Sequence, residues 1–212
     1  MNRLKSTFIK ILPQSIRAKI HSKEISLRAT LLGEGQNLDE LCHIGLLCGS
    51  TKEDVILEDH CELFGHILSY NHGKVIMRKW SKVGMNCNIN CVNHIEIGED
   101  TAIADNVTIV DHNYHPVNPD DRRYMRHTPH GSKERQPMYS ANAPIIIGNN
   151  VWIGNGVRVC KGVTIGDNSV VGACSVVTKD IPANCVAVGN PARVVKENID
   201  KTTKSIFPLL DK

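Results

Sequence analysis

The stretch that decides the fold runs from residue 145 to residue 182 and reads IIIGNNVWIGNGVRVCKGVTIGDNSVVGACSVVTKDIP. An aliphatic side chain returns at every sixth position: Ile147, Ile153, Val159, Ile165, Val171 and Val177. A period of six fits neither the turn of an α-helix nor the two-residue alternation of a long strand. It predicts very short strands separated by tight turns, and Gly148, Asn149 and Asn150 are residues that such turns favour.

The same phase continues upstream of this stretch, although less regularly. Aliphatic residues recur at Ile97, Ile103 and Ile109 and, more loosely, at Met77, Val83 and Ile89. Three six-residue units would close one triangular coil, and stacked coils would pair as parallel sheets around an aliphatic core. Another β-solenoid or a β-sandwich is the alternative, but sandwich strands recur at irregular intervals of ~8–12 residues. The pattern therefore predicts an all-β chain built as a parallel β-helix.

Composition narrows the class of protein. Aromatic residues make up only 4% of the 212 residues, so an aliphatic core is expected. The net charge of +3 is too small to indicate nucleic-acid binding by itself. The 8 cysteines form no CxxC pair, and in a reducing cytosol they are expected to be small buried hydrophobic residues rather than zinc ligands or disulfides.

The chain ends are set apart from the repeats. Residues 1–25 mix basic and aliphatic side chains, which predicts an amphipathic helix that packs on the main body or a neighbouring subunit, or else lies on an anionic membrane surface. We assign 26–195 to the β-helix, with a protruding loop at 110–144, and 196–212 to a C-terminal tail. Because no apolar run approaches the ~20 residues of a membrane span, we expect a cytoplasmic protein, and the basic helix leaves open a peripheral position at the inner face of the membrane.

The repeat is interrupted between Ile109 and Ile147. The intervening residues 111–144 read DHNYHPVNPDDRRYMRHTPHGSKERQPMYSANAP and contain four histidines, three tyrosines and several arginines. Long loops in a compact domain are usually functional or disordered. A merely solvated spacer would not need this concentration of histidine and aromatic groups, so the interruption is predicted to carry the function.

Two stretches of the chain resemble a known family. They are NVTIVDHNYHPVNPDDRR from Asn106 and the long stretch from residue 145 to residue 195. They are similar to the maltose, galactoside and nodulation acetyltransferases of the hexapeptide-repeat superfamily, and to related polysaccharide O-acetyltransferases. The resemblance covers about residues 77 to 195. It implies a left-handed β-helix, acetyl-CoA as co-substrate, no required metal, and a homotrimer with active sites between adjacent subunits.

The resemblance also implies a general base in the interruption. In this family a loop histidine takes the proton of an acceptor hydroxyl, and the oxygen then attacks the thioester of acetyl-CoA; histidine suits this because its pKa lies near the working pH. We favour His115, which is followed by Pro116 as in the family's motif, over His112, which belongs to a DHN motif of the polysaccharide enzymes. His112 could instead orient Asp111 or contact the acceptor.

Further site residues follow from the resemblance alone. The expected cofactor-binding residues are Trp152 and Gly154 of VWIG, Tyr139 and Ser140 of MYS, and Ala173, Thr178, Lys179 and Arg193. Lys179 and Arg193 would meet the phosphates of the cofactor, although simple surface solvation also explains them. The expected acceptor contacts are Asn86, Tyr114, Arg122 and Arg123, for which structural explanations are equally good. The two arginines would suit an anionic sugar.

The resulting hypothesis is an O-acetyltransferase that modifies a sugar hydroxyl of a capsule, O-antigen or other cell-surface polysaccharide, or of its precursor. N-acetylation of an amino sugar is the first alternative, since the same base serves an amine. A γ-type carbonic anhydrase would need three histidines around a metal ion. An acyl-enzyme at Cys160 or Cys174 would give ping-pong kinetics, and an inactive scaffold would not need the histidine motif.

Overall fold

The computed structural model describes residues 13–202, which form a β-helix of six triangular coils with one long insertion. Each coil contributes one strand to each of three sheets, and all strand pairs between successive coils are parallel. The first sheet contains β1 (Thr30–Leu31), β4 (Val55–Leu57), β7 (Lys74–Met77), β10 (His94–Ile97), β13 (Ile145–Ile147) and β16 (Thr164–Ile165). The predicted all-β architecture is confirmed.

The other two sheets are built in the same way. The second sheet contains β2 (Asn37–Leu38), β5 (Glu62–Leu63), β8 (Lys82–Val83), β11 (Ala102–Ile103), β14 (Trp152–Ile153), β17 (Val170–Val171), β19 (Val186–Gly189) and β20 (Ala192–Lys196). The third sheet contains β3 (His43–Leu47), β6 (His66–Tyr70), β9 (Asn88–Cys91), β12 (Thr108–Val110), β15 (Arg158–Cys160) and β18 (Val176–Val177). Only β20, which pairs with β19, is antiparallel within this described set of strand pairs.

The six-residue ladder forms the core. In the first sheet, Met77, Ile97, Ile147 and Ile165 stand in register on successive strands, and each side chain is buried. The equivalent ladders of the other sheets are Val83, Ile103, Ile153 and Val171, and Ile89, Ile109, Val159 and Val177. β-branched and unbranched aliphatic side chains suit these positions because each must fill the narrow interior against the coils above and below.

One corner of the triangle is a column of residues in the left-handed backbone conformation. Asn150, Asn168 and Asn184 have φ values of 52°, 59° and 58°. Asn150 Nδ2 donates to Asn168 Oδ1 at 2.9 Å, and Asn168 Nδ2 donates to Asn184 Oδ1 at 3.0 Å. Asparagine tolerates this conformation better than most residues. In the upstream coils the column continues with His60 and Trp80, whose stacked rings have centroids 4.1 Å apart.

Further elements precede and follow the coils. The helix α1 (Gln14–Ser26) precedes the first coil, and Ile25 near its end is buried in the core together with Ala29. Of the amphipathic helix predicted for residues 1–25, residues 1–12 lie outside the described part of the chain. At the other end, β20 is followed by a short helix (Ile199–Thr202). Among residues 13–202, no helix is both long enough and apolar enough to span a membrane.

The interruption is partly helical rather than a plain loop. We call residues 111–144 the insertion. It contains the helix α2 (Pro119–His127) and two 3-10 helices (Lys133–Arg135 and Pro137–Tyr139). The Asn118 side chain caps α2 by accepting from the backbone N–H groups of Asp120 and Asp121. This cap follows ordinary N-terminal preferences, with proline at the first helical position, and these signals were present in the sequence.

Candidate active site

The insertion leaves and re-enters the β-helix through a narrow neck. His112 and Asn142 form an antiparallel bridge, Asn113 N donates to Ala141 O at 3.0 Å, and Ala143 N donates to Asp111 O at 3.0 Å. The two ends of the insertion are therefore tied together next to β12. Residues near the neck have fixed positions relative to the coils, while the rest of the insertion extends from it.

Asp111 anchors this neck to the preceding coil. Its buried carboxylate accepts hydrogen bonds from the backbone N–H groups of Val92, Asn93 and His94, and from Cys91 Sγ. Burial raises the pKa of the carboxyl group, although the four donors oppose this effect. The Asp111 carboxylate is therefore hydrogen-bonded to the corner at residues 91–94. It makes no hydrogen bond to His112, so His112 does not orient it in that way.

His112 is held in an apolar and aromatic setting. It is only 4% exposed, and its ring meets the Tyr114 ring edge-on at a centroid distance of 4.4 Å. Burial, together with the charge of Arg158, lowers the pKa of His112 to about 4. The ring is therefore neutral at physiological pH. Nδ1 accepts the backbone N–H of Tyr114 at 3.1 Å, so the single ring proton must be on Nε2.

The Nε2 atom of His112 is a buried donor with no hydrogen-bond partner in the described structure. A buried donor without a partner usually marks a functional position or a place for a bound molecule. Tyr114 stands beside it in the left-handed conformation, with φ of 62°, and its Oη accepts from Asn90 Nδ2 at 2.6 Å. The neck therefore contains one unpaired N–H group, that of His112 Nε2, and the adjacent Tyr114 ring helps to fix its orientation.

His112, Tyr114 and Asn90 form a cluster at the neck, and Asn90 is the member that the sequence alone does not predict. It lies on β9 in register with Leu68 and Val110, and its side chain is largely buried. The polar side chain therefore interrupts an otherwise apolar row across the third sheet. This irregularity can be recognised only when the register of the coils is known, because extra residues at two corners change the sequence spacing between equivalent positions.

His115 lies apart from this cluster, in an open cleft formed by the insertion itself. The cleft has a volume of about 530 Å³. It is lined in part by His115, Arg122, Met125, Arg126, His130 and Arg135. Met125 is buried and fixes α2 against its surroundings. The side chain of His115 is exposed and makes no hydrogen bond to the described residues, so its ring nitrogens are available to a ligand.

The two arginines predicted to contact an acceptor have different surroundings. Arg122 lines the cleft, and its guanidinium donates to the carbonyl oxygens of Pro116 and Val117, which follow His115 directly. It therefore supports the turn that carries His115. Arg123 does not line the cleft and pairs with Asp120 at 3.0 Å on the exposed surface of α2. An exposed pair of this kind contributes little to stability.

The expected cofactor-binding residues lie mostly on the β-helix. Trp152 is 58% exposed on the outer face of β14, between Ala102 and Val170 of the neighbouring strands. Such exposure of a large aromatic ring leaves it free to pack against a ligand. Gly154 follows it, where a Cβ atom would stand 2.7 Å from the backbone nitrogen of Ala173. Its lack of a side chain is therefore explained by coil packing.

The remaining expected cofactor and acceptor contacts differ in the exposure and hydrogen bonding of their side chains. Tyr139 is half exposed, whereas the buried Ser140 donates its hydroxyl to Pro137 O at 2.7 Å. Asn86 is exposed at a turn with φ of 56°, which is sufficient structural reason for asparagine there. The other exposed side chains are those of Ala173, Thr178, Lys179 and Arg193. None of these residues lines the cleft that contains His115.

The potential metal ligands are dispersed. Within residues 13–202, no group of three or more His, Cys, Asp or Glu side chains is arranged to hold a metal ion. The cysteines also differ in part from expectation. Five of the eight are buried, but Cys48 and Cys174 are exposed and Cys160 is intermediate. For the buried thiols, burial raises the pKa of Cys42 to about 12 and that of Cys87 to about 11.

Comparison with known proteins gives four matches that bear on this site, two in sequence and two in solved structures. The family described as bacterial transferase hexapeptide (six repeats) matches residues 144–179. The galactoside O-acetyltransferase of Escherichia coli K12 is 47% identical over 113 residues, which cover 53% of this chain and 49% of that protein. The chain thus spans about half the length of this curated relative.

Solved structures extend the match in three dimensions. A galactoside acetyltransferase in complex with coenzyme A is 26% identical, with a TM-score of 0.59, and the match covers 97% of this chain and 85% of that one. The polySia-specific acetyltransferase NeuO is 25% identical, with a TM-score of 0.58, and the match covers 84% and 74% of the two chains. These matches confirm the left-handed parallel β-helix and the resemblance to hexapeptide-repeat acetyltransferases.

Proposed function

We propose that the protein is an acetyl-CoA-dependent O-acetyltransferase that acts on a hydroxyl group of a sugar. The observation that carries this proposal is the insertion, which interrupts a hexapeptide β-helix once and holds two histidines at and beside its neck. The relatives that share this fold are named for acetyl transfer to galactosides and to polySia, and one contains coenzyme A. A cell-surface polysaccharide or its precursor is the acceptor that we propose.

His115 is the better candidate for the general base. A base must present an unprotonated nitrogen to the acceptor hydroxyl, and His115 is exposed at the cleft with its ring free of other hydrogen bonds. His112 presents the opposite group, since its Nδ1 accepts from Tyr114 and its Nε2 carries the proton. His112 is therefore suited to donate a hydrogen bond to an oxygen, and not to remove a proton.

In the proposed reaction His115 accepts the proton of the sugar hydroxyl as its oxygen attacks the thioester carbonyl of acetyl-CoA. A tetrahedral intermediate forms, and its negative oxygen needs a hydrogen-bond donor. Collapse of the intermediate breaks the carbon–sulfur bond. The acetyl group stays on the sugar, and the thiolate of coenzyme A takes the proton from His115.

Coenzyme A would bind along the outer surface of the coils. Trp152 offers an exposed ring, and Ala173 and Thr178 are exposed on the last coils. Lys179 and Arg193 are the cations that we assign to the phosphates of the cofactor. We also propose a homotrimer, as the resemblance implies, in the cytoplasm or at the inner face of the membrane.

The proposal is tested by measuring thiol release from acetyl-CoA with a panel of acceptors: neutral oligosaccharides, acidic oligosaccharides and amino sugars. With an accepted sugar, His115→Ala is expected to lower kcat by a factor of ~10²–10⁴, the usual contribution of a general base. The matched control is His127→Ala, because His127 is exposed on α2 and does not line the cleft.

Equal turnover by His115→Ala and His127→Ala would remove His115 from the mechanism. Thiol release with none of the hydroxyl acceptors, but with an amino sugar, would replace O-acetylation by N-acetylation. Initial-rate patterns add a second criterion. Intersecting lines fit a ternary complex, whereas parallel lines would favour an acyl-enzyme on a cysteine.

A further inference from the structure

The insertion cleft has a charge composition that the proposed O-acetylation does not require. Of the eight residues that line it, three are arginines and two are histidines, and none is acidic. A cleft that binds only neutral hydroxyl groups would be expected to combine donors with acceptors such as aspartate or glutamate. This one offers three guanidinium groups and no carboxylate.

The three arginines of the cleft are not equivalent. Arg122 is engaged with the carbonyl oxygens of Pro116 and Val117. Arg135 is engaged with Arg126 O at 2.6 Å and with Thr128 Oγ1 at 3.3 Å, contacts that tie the second half of the insertion to the end of α2. Both side chains therefore shape the cleft more than they remain available to a ligand.

Arg126 is the exception. Its guanidinium makes no hydrogen bond and no ion pair with any residue in the described range, and it is exposed on the last turn of α2. The acidic residues of the helix are at its other end, where Asp120 is already paired with Arg123. A planar guanidinium with five donors is well matched to a carboxylate or phosphate group.

We infer that the acceptor is an anionic glycan whose carboxylate or phosphate group binds Arg126, which brings a neighbouring hydroxyl to His115 on the same cleft. This inference rests on the proposed function and adds the substrate class to it. The volume of about 530 Å³ admits more than one sugar ring, so a charged residue next to the acetylated one would also satisfy the geometry. His130 also lines the cleft and can supply a further donor.

Binding of defined glycans to the full chain tests the inference without requiring turnover. The probes are an oligogalacturonate and an oligosialate as carboxylates, glucose 1-phosphate as a phosphate, and maltotetraose as the neutral reference. The wild-type protein is expected to bind at least one anionic probe about tenfold or more tightly than maltotetraose. Comparing the carboxylates with the phosphate identifies which of the two groups is preferred.

Two variants separate a specific contact from a general effect of charge. Arg126→Gln is expected to weaken binding of the preferred anionic probe by about 10- to 100-fold, as for the loss of a charge-assisted hydrogen bond. Lys133→Gln removes the same charge from an exposed position of the insertion that does not line the cleft, and it should change binding by less than about twofold. Coenzyme A affinity should be unchanged in both, and melting curves verify folding.

Several outcomes would overturn the inference while the proposed function stands. They are equal affinity for neutral and anionic probes, equal losses in Arg126→Gln and Lys133→Gln, or a loss of coenzyme A affinity in Arg126→Gln, which would assign the cleft to the cofactor's phosphates. Failure of the wild-type protein to bind any anionic probe would also overturn it. The proposed function fails separately, when no sugar hydroxyl elicits thiol release from acetyl-CoA.

Discussion

The coils and the insertion are stabilised in opposite ways. In the coils, buried aliphatic side chains stack in register between residues that are 18 to 50 positions apart, as in the ladder of Met77, Ile97, Ile147 and Ile165. In the insertion, the contacts are mostly local and polar, such as the cap of α2 by Asn118 and the bonds of Arg135. The repeat thus supplies a rigid frame, and the chemistry that we propose lies where the repeat is absent.

The largest test of this contrast is to remove the insertion. We expect that replacing residues 114–140 by two glycines leaves a folded β-helix, because Asn113 N and Ala141 O are already hydrogen-bonded at 3.0 Å and a short link can close the neck. A shorter loop also costs less closure entropy. Thiol release from acetyl-CoA should fall to background. Circular dichroism and melting curves measure the fold, and the acceptor panel measures activity.

An unfolded or aggregated product would show that the insertion stabilises the coils, through contacts such as that between Tyr114 and Asn90. Residual turnover in a folded product would place the base outside the insertion. In either case the simple division between frame and chemistry would be wrong.

The same contrast explains what the sequence could predict. The six-residue period of the ladder can be recognised in the sequence because the interior of a narrow coil admits only compact apolar side chains. The β-helix therefore requires such a side chain at regular intervals. From Met77 onward every predicted inward position is buried. Further upstream the period is blurred by corners of variable length, and the register there, for example Ile67 beside Ile89, had to come from the structure.

Within the insertion no period exists, and the local signals were incomplete guides. Asn118, Pro119 and the acidic first turn indicate a helix start, although the break in the repeat by itself predicts only a protruding loop at 110–144. The hydrogen bond that sets the tautomer of His112 depends on the backbone of Tyr114, which adopts φ of 62°. The sequence does not specify such a conformation for tyrosine. For this reason the sequence motif favours His115 as the base, but it gives no indication that His112 Nδ1 is occupied by a backbone N–H group.

A smaller effect is expected from titration of His112 at the neck. Because its pKa is lowered to about 4 in the folded protein, from about 6.5 when unfolded, the unfolded state binds more protons between these values. The contribution of neutral His112 to stability is therefore fully present above pH 6.5 and is lost as the pH falls toward 4. The loss should be on the order of 3 kcal/mol.

Urea unfolding at pH 7.5 and pH 4.5 measures this loss. His112→Gln should show a smaller decrease than wild type, because an amide oxygen can still accept the N–H of Tyr114 and does not titrate. The variant His127→Gln, at an exposed position, serves as the control and should show the same decrease in unfolding free energy as the wild type. Identical decreases between pH 7.5 and pH 4.5 in all three proteins would mean that His112 is not held in the apolar setting that the structure shows.

The smallest expected effect returns to the coils, at the corner column. Asn168 has φ of 59° and joins Asn150 to Asn184 through two exposed hydrogen bonds. Both Asn168→Ala and Asn168→Gly lose these bonds, but only alanine also carries the cost of the left-handed conformation, about 1 kcal/mol. Alanine should therefore destabilise more than glycine, although glycine has the greater chain entropy when unfolded. Equal losses in urea unfolding would mean that the side-chain column, and not the backbone conformation, explains asparagine at this corner.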